Sequence, residues 1–324
     1  MQTTTLGKSG LEVSRIAFGA WQLGGDWGRF EEDSAITAIR RALDLGINFF
    51  DTAQAYGFGA SEHILGKALR PELLRARDHL VIATKGGLSR TDSGPTPDAR
   101  PDSLRRGVDT SLTALGIDHI DLYQLHCPDP AVPVSETAGA LADLVAEGKI
   151  AHVGVANHET GQIDEFSATL PVETLQPRYQ MFCSDIGAEL LPYCRAHDIG
   201  VLVYGSLAKG LLTGMLRSDT SFAARNWWSE CRAFRTDADR RALEVVGELE
   251  YFAAHLGLTV SQLAIAWILA RPGIHVAIVG ARHISHLQDA VAAIDATLTD
   301  ADLADVERIR NTGKPVAGPC TESA

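Results

Sequence analysis

The sequence predicts an α/β fold: a closed (β/α)8 TIM barrel, one domain spanning residues 1–324, with an N-terminal β-hairpin in front and extra C-terminal helices behind. Three observations carry that prediction. Eight short apolar runs recur along the chain, each followed by a segment with apolar residues at helical spacing, a pattern that implies a parallel sheet. No GxGxxG or GxxxxGK stretch appears anywhere, although an open doubly wound sheet would carry such a fingerprint after its first strand. Several of the runs stop on a polar residue, so the carboxyl ends of the strands would gather chemistry on one face of a ring.

The elements follow in order. TTTLGKSGLEV gives two extended runs about Gly7 and Gly10, a hairpin. Residues 16–18 form the first barrel strand and run into Gly19-Ala20-Trp21-Gln22. Asp33 is read as the cap of a helix with Ile36, Ile39, Ala42 and Leu43 on one face, closed by Gly46. Residues 47–50 are the second strand, stopping at Asp51, and Ser61 and Glu62 start the helix that presents Ile64, Leu65 and Leu69. Strand 80–83 ends at Lys85, and Asp102 or Ser103 caps the next helix. Strand 120–125 ends at His126 and is followed by a helix from Ser135. Strand 150–156 ends at Asn157, strand 172–175 at Gln176 and strand 200–203 at Tyr204. An insertion over residues 208–235, rich in Gly, Ser, Arg and Trp, precedes two helices, the last strand at 276–279 and two closing helices.

Composition excludes several classes of function. The net charge of −12 with no basic block argues against a nucleic-acid partner. Cysteines at 127, 183, 194, 231 and 320 are odd in number and show no CxxC spacing, as expected of reduced thiols in the cytoplasm. The N-terminus lacks the charged and apolar regions of a secretion signal. No apolar run approaches the ~20 residues of a membrane span, so no membrane partner is expected.

The chemistry is expected where strands end. Asp51 closes an apolar strand, where a carboxylate is costly unless paired with a cation. Tyr56 follows among small residues, and Lys85 and His126 end the next two strands. These four types suit a proton-donating site. A phenol of pKa ~10 is a poor acid near neutrality, and a neighbouring ammonium lowers that value. Lys85 is the expected neighbour, with Asp51 orienting it and His126 donating a hydrogen bond to a carbonyl oxygen. No metal is expected: His283 and His286 could share a helix face, but no thiol or carboxylate completes the set.

GINFFDTAQAYGFGASEHILG, the following VIATKGG and the stretch IDLYQLHCPDP together resemble the signature regions of the aldo-keto reductases. The similarity runs from LGKSGLEVSRIAFGAWQLGG through VYGSLAKGLLTGM to VGARHISHLQDAV, and is closest to the bacterial branch that includes vegetative and inositol-associated reductases. The resemblance implies Tyr56 as general acid, Lys85 and Asp51 as its tuning pair and His126 as the substrate-orienting donor. It implies a nicotinamide cofactor held without a Rossmann fold. Asn157 and Gln176 would hold the carboxamide and Tyr204 would stack on its ring. Ser206, Leu207, Lys209, Gly210 and Leu211 would cover the pyrophosphate, and Gly280, Ala281, Arg282 and His286 would meet the adenosine end. Arg282 offers a fork for a 2′-phosphate and favours NADP(H), with NAD(H) the alternative.

The chain departs from the family pattern at Ala156, where serine is usual, and the lost hydroxyl removes a hydrogen bond worth ~1 kcal/mol. Gly205-Ser206, Gln180, His286 and Ala290 depart as well. Trp21, Trp27, Phe58, Trp227 and Trp228 are candidate walls of a substrate pocket, with Arg225 and Arg232 flanking the last pair. The expected reaction is NADP(H)-dependent reduction of an aldehyde or ketone, a sugar among the candidates. Two alternatives stand beside it: an NAD-dependent polyol or aldose dehydrogenase, and a cofactor-holding, channel-associated binding module. Substrate, direction and oligomeric state are not legible in the sequence.

Overall fold

The computed structural model describes residues 1–25, 31–92, 94–216, 237–280 and 284–311. Eight parallel strands close into a barrel: β3 (Ile16–Gly19), β4 (Phe49–Asp51), β5 (Val81–Gly86), β8 (Ile120–Leu125), β9 (Ile150–Ala156), β10 (Thr174–Gln176), β11 (Gly200–Val203) and β12 (Val276–Gly280). The ring order β10-β11-β12-β3-β4-β5-β8-β9 is sequential, as right-handed β/α units demand. Around it lie α1 (Glu32–Asp44), α2 (Ala60–Arg75), α3 (Pro101–Leu115), α4 (Val134–Ala146), α5 (Thr160–Ser167) and α6 (Leu190–Ala196). They are joined by α7 (Asp237–His255), α8 (Val260–Leu269), α9 (Ile284–Ala292) and α10 (Asp300–Arg310). Among the described residues no single helix is long and apolar enough to cross a membrane.

Strand alternation divides the core in two. Outward residues such as Ile16, Phe18, Phe50, Ile82, Tyr123 and Val153 pack beneath the helices. Inward residues Ala17, Phe49, Val81, Ala83, Leu122, Leu202, Val276 and Ile278 form a separate cluster inside the ring. The predicted hairpin, β1 (Thr3–Thr5) with β2 (Glu12–Ser14), closes the amino-terminal end of that cluster with Leu6, Leu11 and Val13. Gly7 makes the closure fit: its φ is +54°, and a Cβ there would sit 2.3 Å from the Gly200 nitrogen. The barrel is therefore plugged with hydrocarbon at its amino-terminal end, while the carboxyl ends of its strands carry polar side chains.

Several local expectations are corrected. Glu31 occupies the cap position of α1, leaving Asp33 in the first turn. Helix α3 starts at Pro101, whose fixed φ and missing N–H suit the first helical position, rather than behind a cap at Asp102 or Ser103. Helix α4 likewise starts at Val134, directly after Pro133. A second antiparallel hairpin, β6 (Leu88–Thr91) with β7 (Gly94–Pro97), rises from the end of β5. It was not anticipated, because two prolines and mixed polarity hide its alternation.

Candidate active site

Period-two alternation aims Asp51, Lys85, Gln124 and Gln176 into the barrel from four different strands. Their polar ends converge on Asp51. Lys85 Nζ donates to Asp51 Oδ2 at 2.7 Å and to the Thr52 carbonyl at 2.9 Å. Gln176 Nε2 donates to Asp51 Oδ1 at 2.8 Å, and Gln124 Nε2 reaches the same oxygen at 3.4 Å. The ion pair is almost wholly removed from water, with side-chain exposures of 1% and 4%. A pair this deep is tolerable because the remaining lone pairs of the carboxylate are also bonded.

Tyr56 lies above this cluster, its hydroxyl 3.5 Å from Lys85 Nζ, at the outer limit of a hydrogen bond. The ammonium sits 5.2 Å from the centre of the phenol ring. The expectation of a lowered phenol pKa beside Lys85 fails for the resting site taken as a whole. Burial raises it well above the ordinary value, and the Asp51 and Tyr204 charges push the same way. Tyr56 is thus held protonated, as a proton donor must be before it acts.

The His126 ring meets Tyr56 edge-on at 5.9 Å. Burial first, then the Lys85 charge, pull its pKa down to about 3, so the imidazole is neutral. Its Nδ1 is buried with no partner, leaving the other nitrogen as the natural carrier of the proton. A neutral ring offers one N–H and adds no second cation beside Lys85.

The remaining expected residues divide into groups. Asn157, at φ +59°, accepts from the Tyr204 hydroxyl at 2.8 Å and donates to the His126 carbonyl at 3.2 Å. Gln176 belongs to the Asp51 cluster as well as facing the mouth. After β11 the backbone turns through positive φ at Ala208, Lys209 and Gly210, and the turn is closed by its own bonds, the Ala208 and Gly210 N–H groups donating to the Gly205 and Leu207 carbonyls at 2.8 Å. Ser206 donates its hydroxyl to the Ile278 carbonyl at 2.9 Å and so ties this loop to β12. Leu211 is buried in the core and Leu207 packs against it, so these two can face a ligand only through backbone. Gly280 ends β12 where a Cβ would come within 3.0 Å of the Gln22 side chain, and Gln22 Oε1 is buried without a partner. His286 lies in the first turn of α9.

Trp21 lies in a short turn, its ring 6.3 Å from that of Tyr56, and Phe58 sits in the same loop as Tyr56. Trp27, Trp227, Trp228, Ala281 and Arg282 lie outside the described residues, as do Arg225, Arg232 and His283. Among the described residues no group of three or more His, Cys, Asp or Glu side chains converges as a metal would need. Sequence reasoning missed Gln22 and Gln124. Gln124 carried a usable signal, since it precedes His126 by two residues and must face the same way.

A model described as the aldo/keto reductase family matches residues 15–311. The chain belongs to the aldo/keto reductase family. It is 38% identical to aldo-keto reductase YhdN of Bacillus subtilis (strain 168), over 98% of this chain and 97% of that one. Its fold is similar to that of the glycerol dehydrogenase AKR11B4 from Gluconobacter oxydans, with a TM-score of 0.84, 35% identity and 92% of each chain covered. It is also similar to an aldo/keto reductase from Klebsiella pneumoniae in complex with NADP and acetate, with a TM-score of 0.75, 28% identity and 95% of each chain covered. An aldo/keto reductase barrel carries its chemistry at the carboxyl ends of the strands, where the Asp51 cluster lies.

Proposed function

We propose that this aldo/keto reductase reduces an aldehyde or ketone to the alcohol with NADP(H), Tyr56 acting as general acid. The observation that carries the reading is the buried Lys85–Asp51 pair set against a protonated phenol and a neutral imidazole at the carboxyl end of the barrel. A carbonyl oxygen held between the Tyr56 hydroxyl and the His126 N–H is polarised by two donors. As negative charge builds on that oxygen, the Tyr56 proton moves to it, and the Lys85 ammonium stabilises the phenolate left behind. Asp51 and Gln176 fix Lys85 in place without being consumed.

The residues present fit a nicotinamide dinucleotide. Asn157 holds its amide against the Tyr204 hydroxyl, and Gln22 Oε1, buried without a partner beside Gly280, is left to meet a donor of the ligand. When bound, the cofactor supplies the hydride. The phosphorylated form is favoured by Arg282 in the sequence and is the form present in the Klebsiella pneumoniae relative.

The test is NADPH oxidation by the purified protein over a panel of aldehydes, ketones and sugars. Turnover with at least one carbonyl, lost in Tyr56→Phe while the Kd for NADPH is kept, supports the reading. Full activity in that variant sinks it. A second reading, alcohol oxidation, is favoured by the similarity to a glycerol dehydrogenase. Measuring both directions with the same alcohol–carbonyl pair separates the two.

A further inference from the structure

Two guanidinium groups lie over aromatic rings at the carboxyl end of the barrel, on opposite sides. Arg178 lies over Tyr204 at 5.6 Å, on the segments that follow β10 and β11. Arg90 lies over Phe58 at 5.4 Å, on the segments that follow β5 and β4. In the closed strand order, β4 is four places from β10 and β5 is four places from β11, so the two pairs face each other across the ring. Tyr204, Asn157 and the turn at residues 208–210 lie on the Arg178 side. Trp21, Tyr56 and Phe58 lie on the Arg90 side.

We propose that Arg90 is a specificity-determining residue: it receives an anionic group, a carboxylate or phosphate, on the carbonyl substrate. The inference rests on the reductase reading for the position of the carbonyl and adds the class of substrate. The loop that carries Phe58 is built to present it. Gly57, Phe58 and Gly59 all have positive φ, and a Cβ on Gly57 would come within 2.4 Å of the Gly24 carbonyl oxygen. Holding a phenylalanine at φ +48° costs about 1–2 kcal/mol, which a loop serving only as a connector has no reason to bear.

Among the described residues Arg90 meets the Phe58 ring and no hydrogen-bond acceptor, which leaves its N–H fork for a carboxylate. No acid among the described residues pairs with Arg90. With a net charge of −12, the protein repels anions at long range, so an anionic substrate needs a local cation. Lys85 cannot serve, since Asp51 already neutralises it.

The experiment compares para-carboxybenzaldehyde with benzaldehyde in the wild type, Arg90→Met, Arg90→Lys and Arg178→Met. The ratio of their kcat/KM values should fall about tenfold or more in Arg90→Met, recover in part in Arg90→Lys, and lose its dependence on salt. Equal losses for both aldehydes in Arg90→Met would overturn the proposal and leave Arg90 as a clamp on Phe58. A selective loss in Arg178→Met instead would assign the wrong arginine. Binding of para-carboxybenzamide against benzamide to the NADP+-loaded protein, read by tryptophan fluorescence, decides the matter independently of turnover. Preference for para-carboxybenzamide that disappears in Arg90→Met upholds the anion site even if no aldehyde is reduced. Equal affinities in the wild type sink it even if reduction is observed.

Discussion

The two ends of the barrel are built on opposite principles. At the amino-terminal end, Leu6, Leu11 and Val13 close the ring with hydrocarbon. At the other end, within the same ring, stand a buried ion pair, two glutamines bonded to it, a neutral histidine and a phenol. The first end gains free energy from every group it buries. The second spends some of it, because buried charge and strained backbone are tolerated there only where surrounding bonds hold them. The contrast teaches where stability and function reside in this chain, and it can be broken experimentally.

Lys85→Met should have the largest effect, since it strikes both properties at once. It leaves Asp51 buried without its cation, a loss of about 3–5 kcal/mol, and it removes the group that stabilises the phenolate. Urea denaturation and steady-state kinetics should both register it, and adding Asp51→Asn should restore part of the stability but none of the activity. Tyr56→Phe should cut kcat/KM by about 10²- to 10⁴-fold with a denaturation midpoint close to wild type. Leu6→Ala should do the reverse. It should cost about 2–5 kcal/mol of stability, read as a lower Tm, while kcat measured well below that Tm stays at the wild-type value.

Smaller effects sharpen the comparison. Tyr204→Phe removes the hydroxyl that donates to Asn157 and should cost about 1 kcal/mol, seen as a few-fold change in NADPH affinity. The pH dependence follows from His126. Its folded pKa, about 3, lies below the ordinary 6.5, so as pH falls the unfolded chain takes up a proton first. The stability linked to this ring is complete above pH 6.5 and is lost progressively as pH drops toward 3. His126→Asn should flatten that part of a stability–pH curve. For the same reason kcat/KM should show no His126 inflection between about pH 5 and about pH 8, whereas an unperturbed histidine would titrate inside that range.

Much of the site was legible because of where its residues fall. Asp51 and His126 follow directly on apolar runs, Lys85 lies one residue before the end of its strand, and a parallel barrel brings such positions to one face whatever the loops do. Gln124 lies inside an apolar strand, and the two-residue spacing from His126 gives the face it points to but not its partner Asp51. Hairpin β6–β7, the source of Arg90, was hidden by its prolines. The pKa of Tyr56 was misread for a deeper reason. Its charged neighbours can be named from the sequence, but the burial that raises its pKa depends on how closely the strands approach one another.

The sequence by itself determined the eight-fold alternation, the N-terminal hairpin and the identity of the four groups that meet at the mouth, because periodicity and strand ends are local properties of the chain. Only the tertiary structure decided which carboxylate oxygen each donor reaches, that the phenol stays protonated and the imidazole neutral, and that two arginines lie over aromatic rings on opposite sides of the barrel. Those outcomes depend on distance and on exclusion of water, and both are set by residues far apart in the chain.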